Sequence, residues 1–479
     1  MPATMLHQNE EKSKQEKEGQ QRFIGAMKTL GIAGLLWQSN IRKESRKQGS
    51  EKDGSKRSVY ELFKMLLLLV FQGENLFRFL SSDKGETACS KNSYYRFLED
   101  CHANWNRFVM LLAARVITYF SGLTRPDRVK MLVLDDSIIP RERSKKTELL
   151  SHVYDHVRGK TVKGFNLLAL GWTDAFSFVP VAFRMLASAN REKRLNEANE
   201  TIDKRTNGGQ RRKEAVMHKP DAAISLIHEA LNAGITAQYV LMDTWFTNEP
   251  FIKRVMEEGL HVIGMLKDNK QKYRYNGKAF GLKDLAKRIR FDGFSNIFGS
   301  VLVKTEKNRI PVKLVFVRNR NKRNEYIVIL STDTDLSDAE IVRLYGNRWS
   351  IECCFKVCKS LLKLGKEFHG ISYDLTVSST ALVFTRYILL EWIRRQENDG
   401  RTLGELVYCV FDEVRDMELA DSLRMLFDIL LTGIRQGTVR IDEAVRVQLV
   451  NWFCSQPRFI QCVFRQFFIN LDSAKSVPA

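Results

Sequence analysis

Apolar residues recur three and four positions apart through most of residues 21–120, which predicts helices there. The segments "RFIGAMKTLGIAGLLWQSNI", "VYELFKMLLLLVFQGENLFRFL" and "CSKNSYYRFLEDCHANWNRFVMLLAARVITYF" carry this period. Ser90 or Ser93 offers an N-cap to the third. Between the first two, "IRKESRKQGSEKDGSKRS" is basic and punctuated by Gly and Ser, and reads as a linker. After Arg128 short β-branched runs take over. "VKMLVLDDS" predicts a strand ending in Asp135 and Asp136, and "AQYVLMD" one ending in Asp243. "KGFNLLALGWTDAFSFVPVAFRM" predicts two strands joined at "TDAFS", and "LHVIGML" one more. Among them, "PDAAISLIHEALNAG" and "NEPFIKRVMEEG" predict helices, the first opened by Pro220 and closed by Gly234. The polar run "NREKRLNEANETIDKRTNGGQRRKEAVMHK" predicts a long loop. This order is that of a mixed α/β fold.

Residues 267–335 are β-rich and basic, and include a hairpin whose tip carries Arg318, Arg320, Lys322 and Arg323. "LSDAEIVRLYGNRWSIECCFKVCKSLLKLG" opens with a capping box, Ser337 and Glu340, and predicts one long helix to Gly365, weakened locally at Gly346. Residues 374–470 read as further helices, and there is no internal repeat or low-complexity tract.

Composition narrows the partner. The chain has 479 residues, 44% of them hydrophobic, with 76 Lys plus Arg against 56 Asp plus Glu and a formal net charge of +20. Such an excess suits a polyanion. The apolar run "MLLLLVF" is far shorter than the roughly 20 residues a membrane span needs. The opening stretch is polar and lacks the pattern of a signal segment, so a cytoplasmic, nucleoid-associated protein is expected. Eight cysteines without CxxC spacing read as reduced thiols, and His152 and His156 as surface or structural residues.

Candidate chemistry lies in three acids. A carboxylate at the carboxyl end of a central strand sits in the crevice where α/β sheets bind ligands. Asp136 and Asp243 hold such positions, and Glu352 follows on the helix after the sheet. Carboxylates gathered without cationic partners repel one another unless divalent cations join them, and oxygen-only donors suit Mg²⁺ or Mn²⁺. Two such ions activate a water and stabilise a leaving oxygen in phosphodiester hydrolysis. The plainer alternative, unrelated strand-end acids and a surface glutamate, stays open at this point. Tyr345, Arg348, Glu352 and Lys359 stand at steps of three, four and seven, so on a helix turning about 100° per residue they share an arc of roughly 60°.

These four residues match the Y-(2)-R-(3)-E-(6)-K signature, and the chain thereby resembles the insertion-sequence-four family of DDE transposases. "LDDSIIP" resembles the family's first acidic motif through Asp136 and Ser137, and "VLMDTWF" the second through Asp243. The resemblance implies a ribonuclease-H-like catalytic core with a β-rich insertion, flanked by helical N- and C-terminal regions. It divides the chain into a DNA-binding helical region (1–120), the first part of the core (121–266), the insertion (267–335), closing helices with Glu352 (336–395) and a helical C-terminal region suited to dimerisation (396–479). It implies that Asp136, Asp243 and Glu352 hold two Mg²⁺ or Mn²⁺ ions, with Tyr345, Arg348 and Lys359 on the cleaved DNA end. The hairpin-tip residues Arg318, Arg320, Lys322 and Arg323 would touch the DNA backbone. The expected partners are the inverted ends of an element, target DNA and, in the synaptic complex, a second copy of the chain. Relatives that form a DNA hairpin use a Trp to hold a flipped base. No Trp lies in residues 267–335 here, although Tyr273, Tyr275, Phe280, Phe291, Phe294 and Phe298 do. Trp245 and Trp349 are expected to pack in the core. The rival readings are a stand-alone metal nuclease of the same fold and a non-catalytic DNA-binding derivative of a transposase.

Overall fold

The computed structural model describes residues 22–42, 45–46, 56–82, 88–125, 128–156, 158–269, 271–288, 296–319, 325–396, 402–408, 410, 432 and 443–455. A mixed sheet of 11 strands organises the chain. In chain order these are β1 (Met131–Pro140), β2 (Ser151–Asp155), β3 (Lys160–Thr173), β4 (Phe178–Leu186), β5 (Tyr239–Met242), β6 (His261–Leu266), β7 (Tyr273–Tyr275), β8 (Lys278–Phe280), β9 (Ile297–Thr305), β10 (Pro311–Arg318) and β11 (Tyr326–Ser331). The spatial order is β8-β7-β9-β10-β11-β6-β5-β1-β3-β2, with β4 also on β3. β5 pairs in parallel with β1 and with β6, and the other pairs are antiparallel. Three antiparallel strands followed by two parallel ones, with helices between, form the ribonuclease-H-like core. The β-rich segment extends this same sheet, since β11 pairs directly with β6.

The helices are α1 (Arg22–Thr29), α2 (Ile32–Gln38), α3 (Val59–Leu68), α4 (Leu76–Ser81), α5 (Lys91–Leu98), α6 (Trp105–Gly122), α7 (Asn207–Ala215), α8 (Lys219–Asn232), α9 (Glu249–Glu257), α10 (Leu282–Ala286), α11 (Asp338–Gly346), α12 (Trp349–Ser360), α13 (Tyr373–Gln396) and α14 (Glu443–Ser455), with a further helical run over residues 403–408. Every residue of β4 is buried, because helices cover both of its faces. Phe183 meets Phe384 of α13, while the next residue, Arg184, turns the other way to Glu214 of α7 and Glu229 of α8. Alternation along a strand requires this split. α13 is buried nearly all round, packed between the sheet and the N-terminal helices α6 and α1. One apolar core thus runs from the N-terminal helices through the sheet.

The structure corrects three sequence-based expectations and adds one strand. The strand at "VKMLVLDDS" does not end at its acids; it pairs with β3 as far as Pro140. "SHVYD" forms β2, on the far edge of β3. The supposed long helix is two, because the backbone tightens to i→i−3 bonds at Asn347 and Arg348. The polar loop contains α7, capped by Thr206. Its apolar period is missing because its buried positions are arginines. Arg212 bonds Glu148 at 2.6 Å and Asp374 at 2.9 Å, and Arg211 bonds Asp374 at 2.5 Å, all buried. Gly208 and Gly209 permit the docking: a Cβ on the first would meet Cys101 Cβ at 2.7 Å, and on the second the Asp203 carbonyl at 2.4 Å.

Candidate active site

The acids converge where β5 stops and β1 continues. Leu134 of β1 stands beside Met242 of β5, so Asp135 and Asp243 are the next residues on two parallel neighbours. Beyond them β1 runs on to Pro140 with no strand on that edge among the described residues, and a crevice lies at the carboxyl end of β5. Asp243 is fixed by its own turn, its Oδ1 accepting the N–H groups of Trp245 (3.0 Å) and Phe246 (3.3 Å).

The helix pair lies over one face of β1. Arg348, at the start of α12, donates to Asp135 Oδ2 at 3.1 Å and to Glu352 Oε1. About three turns beyond Arg348, Lys359 Nζ donates to Ser137 Oγ at 2.6 Å. Asp135 and Ser137 therefore share the face that α12 covers. Asp136, the acid chosen from the sequence pattern, points to the opposite face. There its carboxylate accepts from Lys219 Nζ at 3.0 Å and from Asn166. Lys219 in turn lies 4.3 Å from the ring centroid of Trp245. The pattern D-D-S cannot reveal which acid faces the helix until the packing of β1 is known, and Lys219 and Asn166 carried no motif that would have found them.

The electrostatics are those of crowded anions. Burial, with added repulsion from Asp243 and Asp136, raises the Asp135 carboxyl from 3.8 to about 7 against the opposing charge of Arg348. Asp243 is raised for the same reason, burial first and Asp136 second among the raising causes. Burial pushes the Tyr345 phenol up to about 12. Its hydroxyl finds no hydrogen-bond partner among the described residues, and neither do Arg348 Nε and Asn166 Oδ1. Burial also pulls the Lys359 ammonium down. Asp136, Asp243 and Glu352 do not close into a group with ligand atoms within 4.8 Å of one another; among the described residues only Asp100, Cys101 and His102 do so.

Other expected site residues are placed as follows. Trp245 and Trp349 are 46% and 63% exposed, so neither packs in the core. Tyr273 is fully buried. Arg318 ends β10 with its guanidinium 5.2 Å from the Phe298 ring; Arg320, Lys322 and Arg323 lie outside the described residues. Phe291 and Phe294 lie outside them too. No helix among the described residues is long and apolar enough to cross a membrane.

Paired acids on adjoining parallel strands, a third on a helix and cations among them form a candidate site on a ribonuclease-H-like sheet. Comparison with known families agrees. Residues 67–279 match the family described as "DDE superfamily endonuclease", and residues 203–370 match "Archaeal putative transposase ISC1217". The chain thus carries a DDE superfamily endonuclease/transposase domain, of a kind that uses divalent metal ions and binds DNA. No curated protein gives a match.

Proposed function

We propose that this protein is a DNA transposase of the insertion-sequence-four type. It binds the inverted ends of its element, hydrolyses the phosphodiester at each end and joins the freed 3′ ends to target DNA. The observation that carries the reading is Arg348, which ties Asp135 on the central strand to Glu352 on the closing helix. The charge of Arg348 also reaches Asp243.

The donor set fits hard divalent cations. Asp135, Asp136, Asp243 and Glu352 offer only oxygen, and burial leaves Asp135 and Asp243 reluctant to ionise without added positive charge. Asp243, Glu352 and Asp135 are the proposed ligands, with Asp135 in the position that the sequence pattern had given to Asp136. Asp136 lies across the strand and holds Lys219 against the site. Two Mg²⁺ or Mn²⁺ ions there would supply an activated water and stabilise the leaving oxygen. In their absence Arg348 neutralises Asp135 and Glu352. With DNA present its fork turns to a phosphate, for which a planar guanidinium is well suited. Lys359, near Ser137 on the same face, supplies a second positive charge to the DNA end, and Tyr345 a phenolic donor.

We assign DNA-end binding to the N-terminal helices, backbone contacts to the β9–β11 segment with its tip Arg318, Arg320, Lys322 and Arg323, and pairing of two copies to the C-terminal helices. The protein would act on the nucleoid in the cytoplasm. The test is a labelled duplex bearing the inverted repeat that flanks the gene, incubated with Mg²⁺ and a target plasmid. Metal-dependent nicking followed by covalent joining of the 3′ end supports the reading. Nicking without joining would make the protein a stand-alone nuclease, and binding without nicking a non-catalytic derivative.

A further inference from the structure

The turn between α5 and α6 gathers three side chains of different chemistry. Asp100 Oδ1 lies 3.2 Å from His102 Nδ1, and Cys101 Sγ lies 3.6 Å from the same nitrogen. The three ligand atoms all stand within 4.8 Å of one another. Consecutive residues of an extended chain point opposite ways, so three converge only where the backbone is turned. Here α7 holds the turn. Gly208 N–H donates to the Cys101 carbonyl and Asn207 Nδ2 to that of His102, both at 2.6 Å. Arg211 donates to the carbonyls of Ala103 at 2.7 Å and Asp100 at 3.2 Å. Four successive carbonyls are thus fixed from one helix, and the charge of Arg211 is already answered by Asp374. The Asp203 carboxylate, on the segment leading into α7, acts on His102 from the other side.

We propose that this turn is a zinc site, in which Asp100 Oδ1, Cys101 Sγ and His102 Nδ1 hold the ion and water takes the fourth position. The inference stands apart from the DNA-cleaving reading and from the acids of the crevice. Zinc bonds of about 2.3 Å to sulfur and about 2.0–2.1 Å to nitrogen or oxygen, at the tetrahedral angle, set edges of about 3.6 Å for S···N and about 3.3 Å for N···O. The turn already shows 3.6 Å and 3.2 Å. Thiolate and imidazole select zinc over the hard cations that suit oxygen-only donors. On binding, the Cys101 thiol releases its proton to water, and His102 coordinates as the neutral ring protonated at Nε2. The Asp100 and Cys101 anions then balance the two charges of the ion. The Asp100 side chain is 12% exposed and that of His102 72%, so the ion enters from the imidazole side. Once bound, it locks the turn that joins the N-terminal helices to α7.

The experiment uses the full chain, stripped with EDTA under a phosphine reductant and returned to excess Mg²⁺, which occupies oxygen-only sites and competes poorly for sulfur. Titrated Co²⁺ should give a thiolate-to-metal charge-transfer band that saturates at one ion per chain, and Zn²⁺ should erase it. Cys101→Ser and His102→Ala should each weaken binding by more than the roughly ten- to hundredfold that loss of a ligand's hydrogen-bond partner costs. His102 packs against little, so its variant keeps the test valid if Cys101→Ser fails to fold. Cys354→Ser, which removes a buried thiol 3.9 Å from Cys358, should bind like wild type. Zn²⁺ should raise the melting temperature of wild type and leave that of His102→Ala unchanged. Absence of the band, a band lost in Cys354→Ser and kept in Cys101→Ser, or an equal Zn²⁺ shift in His102→Ala overturns the site.

Discussion

Asp135→Asn should make the metal-free protein more stable while abolishing cleavage. The ordinary carboxyl value of 3.8 rises to about 7 at Asp135. Each tenfold change in proton affinity corresponds to about 1.36 kcal/mol, so holding this carboxylate charged above pH 7 costs the fold about 4 kcal/mol. Asparagine is nearly isosteric and carries no charge. It has one acceptor oxygen where the carboxylate has two, and the carboxylate accepts from both Asp136 N–H and Arg348. Losing one of those bonds returns about 1 kcal/mol, leaving a net gain of about 3 kcal/mol at pH 8. The pH dependence has a definite sign. Between about 4 and about 7 the folded protein holds a proton at Asp135 that the unfolded chain has released, so wild-type stability falls as pH rises through that window. The variant lacks this loss, and its advantage should shrink toward zero near pH 4. Denaturant unfolding in EDTA at pH 5, 6.5 and 8 measures it. Mg²⁺ should stabilise wild type and not the variant. A variant less stable than wild type at pH 8, or an offset equal at pH 5 and 8, would refute the reasoning.

Three further outcomes follow from the geometry. Arg348→Ala and Lys359→Ala should each slow single-turnover cleavage about ten- to a hundredfold, since a charge-assisted phosphate bond is worth roughly 1.5–3 kcal/mol, and Arg348→Lys should recover little without the two-pronged fork; rates equal to wild type in variants that melt normally would remove both from the DNA end. Neutralising Arg318, Arg320, Lys322 and Arg323 together should weaken binding to all duplex sequences alike and reduce the salt slope by up to about 3.6, four contacts at about 0.9 each, so an unchanged slope excludes the contact. Arg212→Met should destabilise the fold by about 3–5 kcal/mol in a denaturant titration, because Glu148 and Asp374 lose a buried partner, and a loss below about 1 kcal/mol would show the network to be dispensable.

The sheet was largely readable because its strands are short β-branched runs with turns between them. "YVLM" and "HVIGML" have one structure that satisfies their burial, and both form it. α7 was hidden for the opposite reason. Its inward positions are Gly208, Gly209, Arg211 and Arg212, which look like loop residues until Glu148 and Asp374 arrive from elsewhere in the chain. The break between α11 and α12 left only Gly346 as a trace. In the site, the spacing of Arg348, Glu352 and Lys359 was visible as a helical face. The choice between Asp135 and Asp136 was not, since adjacent strand residues face opposite ways and only the docking of α12 decides which side matters. Trp245 and Trp349 were expected in the core, yet both stand in solvent.

The central claim is that the carboxylates of this crevice cut and rejoin DNA. Single-turnover reaction of a labelled element end with target plasmid in Mg²⁺ tests it most directly, run on wild type, Asp135→Asn, Asp136→Asn, Asp243→Asn and Glu352→Gln. Wild type should nick and join. Asp135→Asn, Asp243→Asn and Glu352→Gln should bind the end with near wild-type affinity and do neither, while Asp136→Asn should keep measurable cleavage. Ca²⁺ in place of Mg²⁺ should permit binding alone, given its looser coordination. Cleavage by Asp243→Asn or Glu352→Gln at near wild-type rate would contradict the account. Loss in Asp136→Asn with retention in Asp135→Asn would return the first ligand to the residue on the other face of the strand.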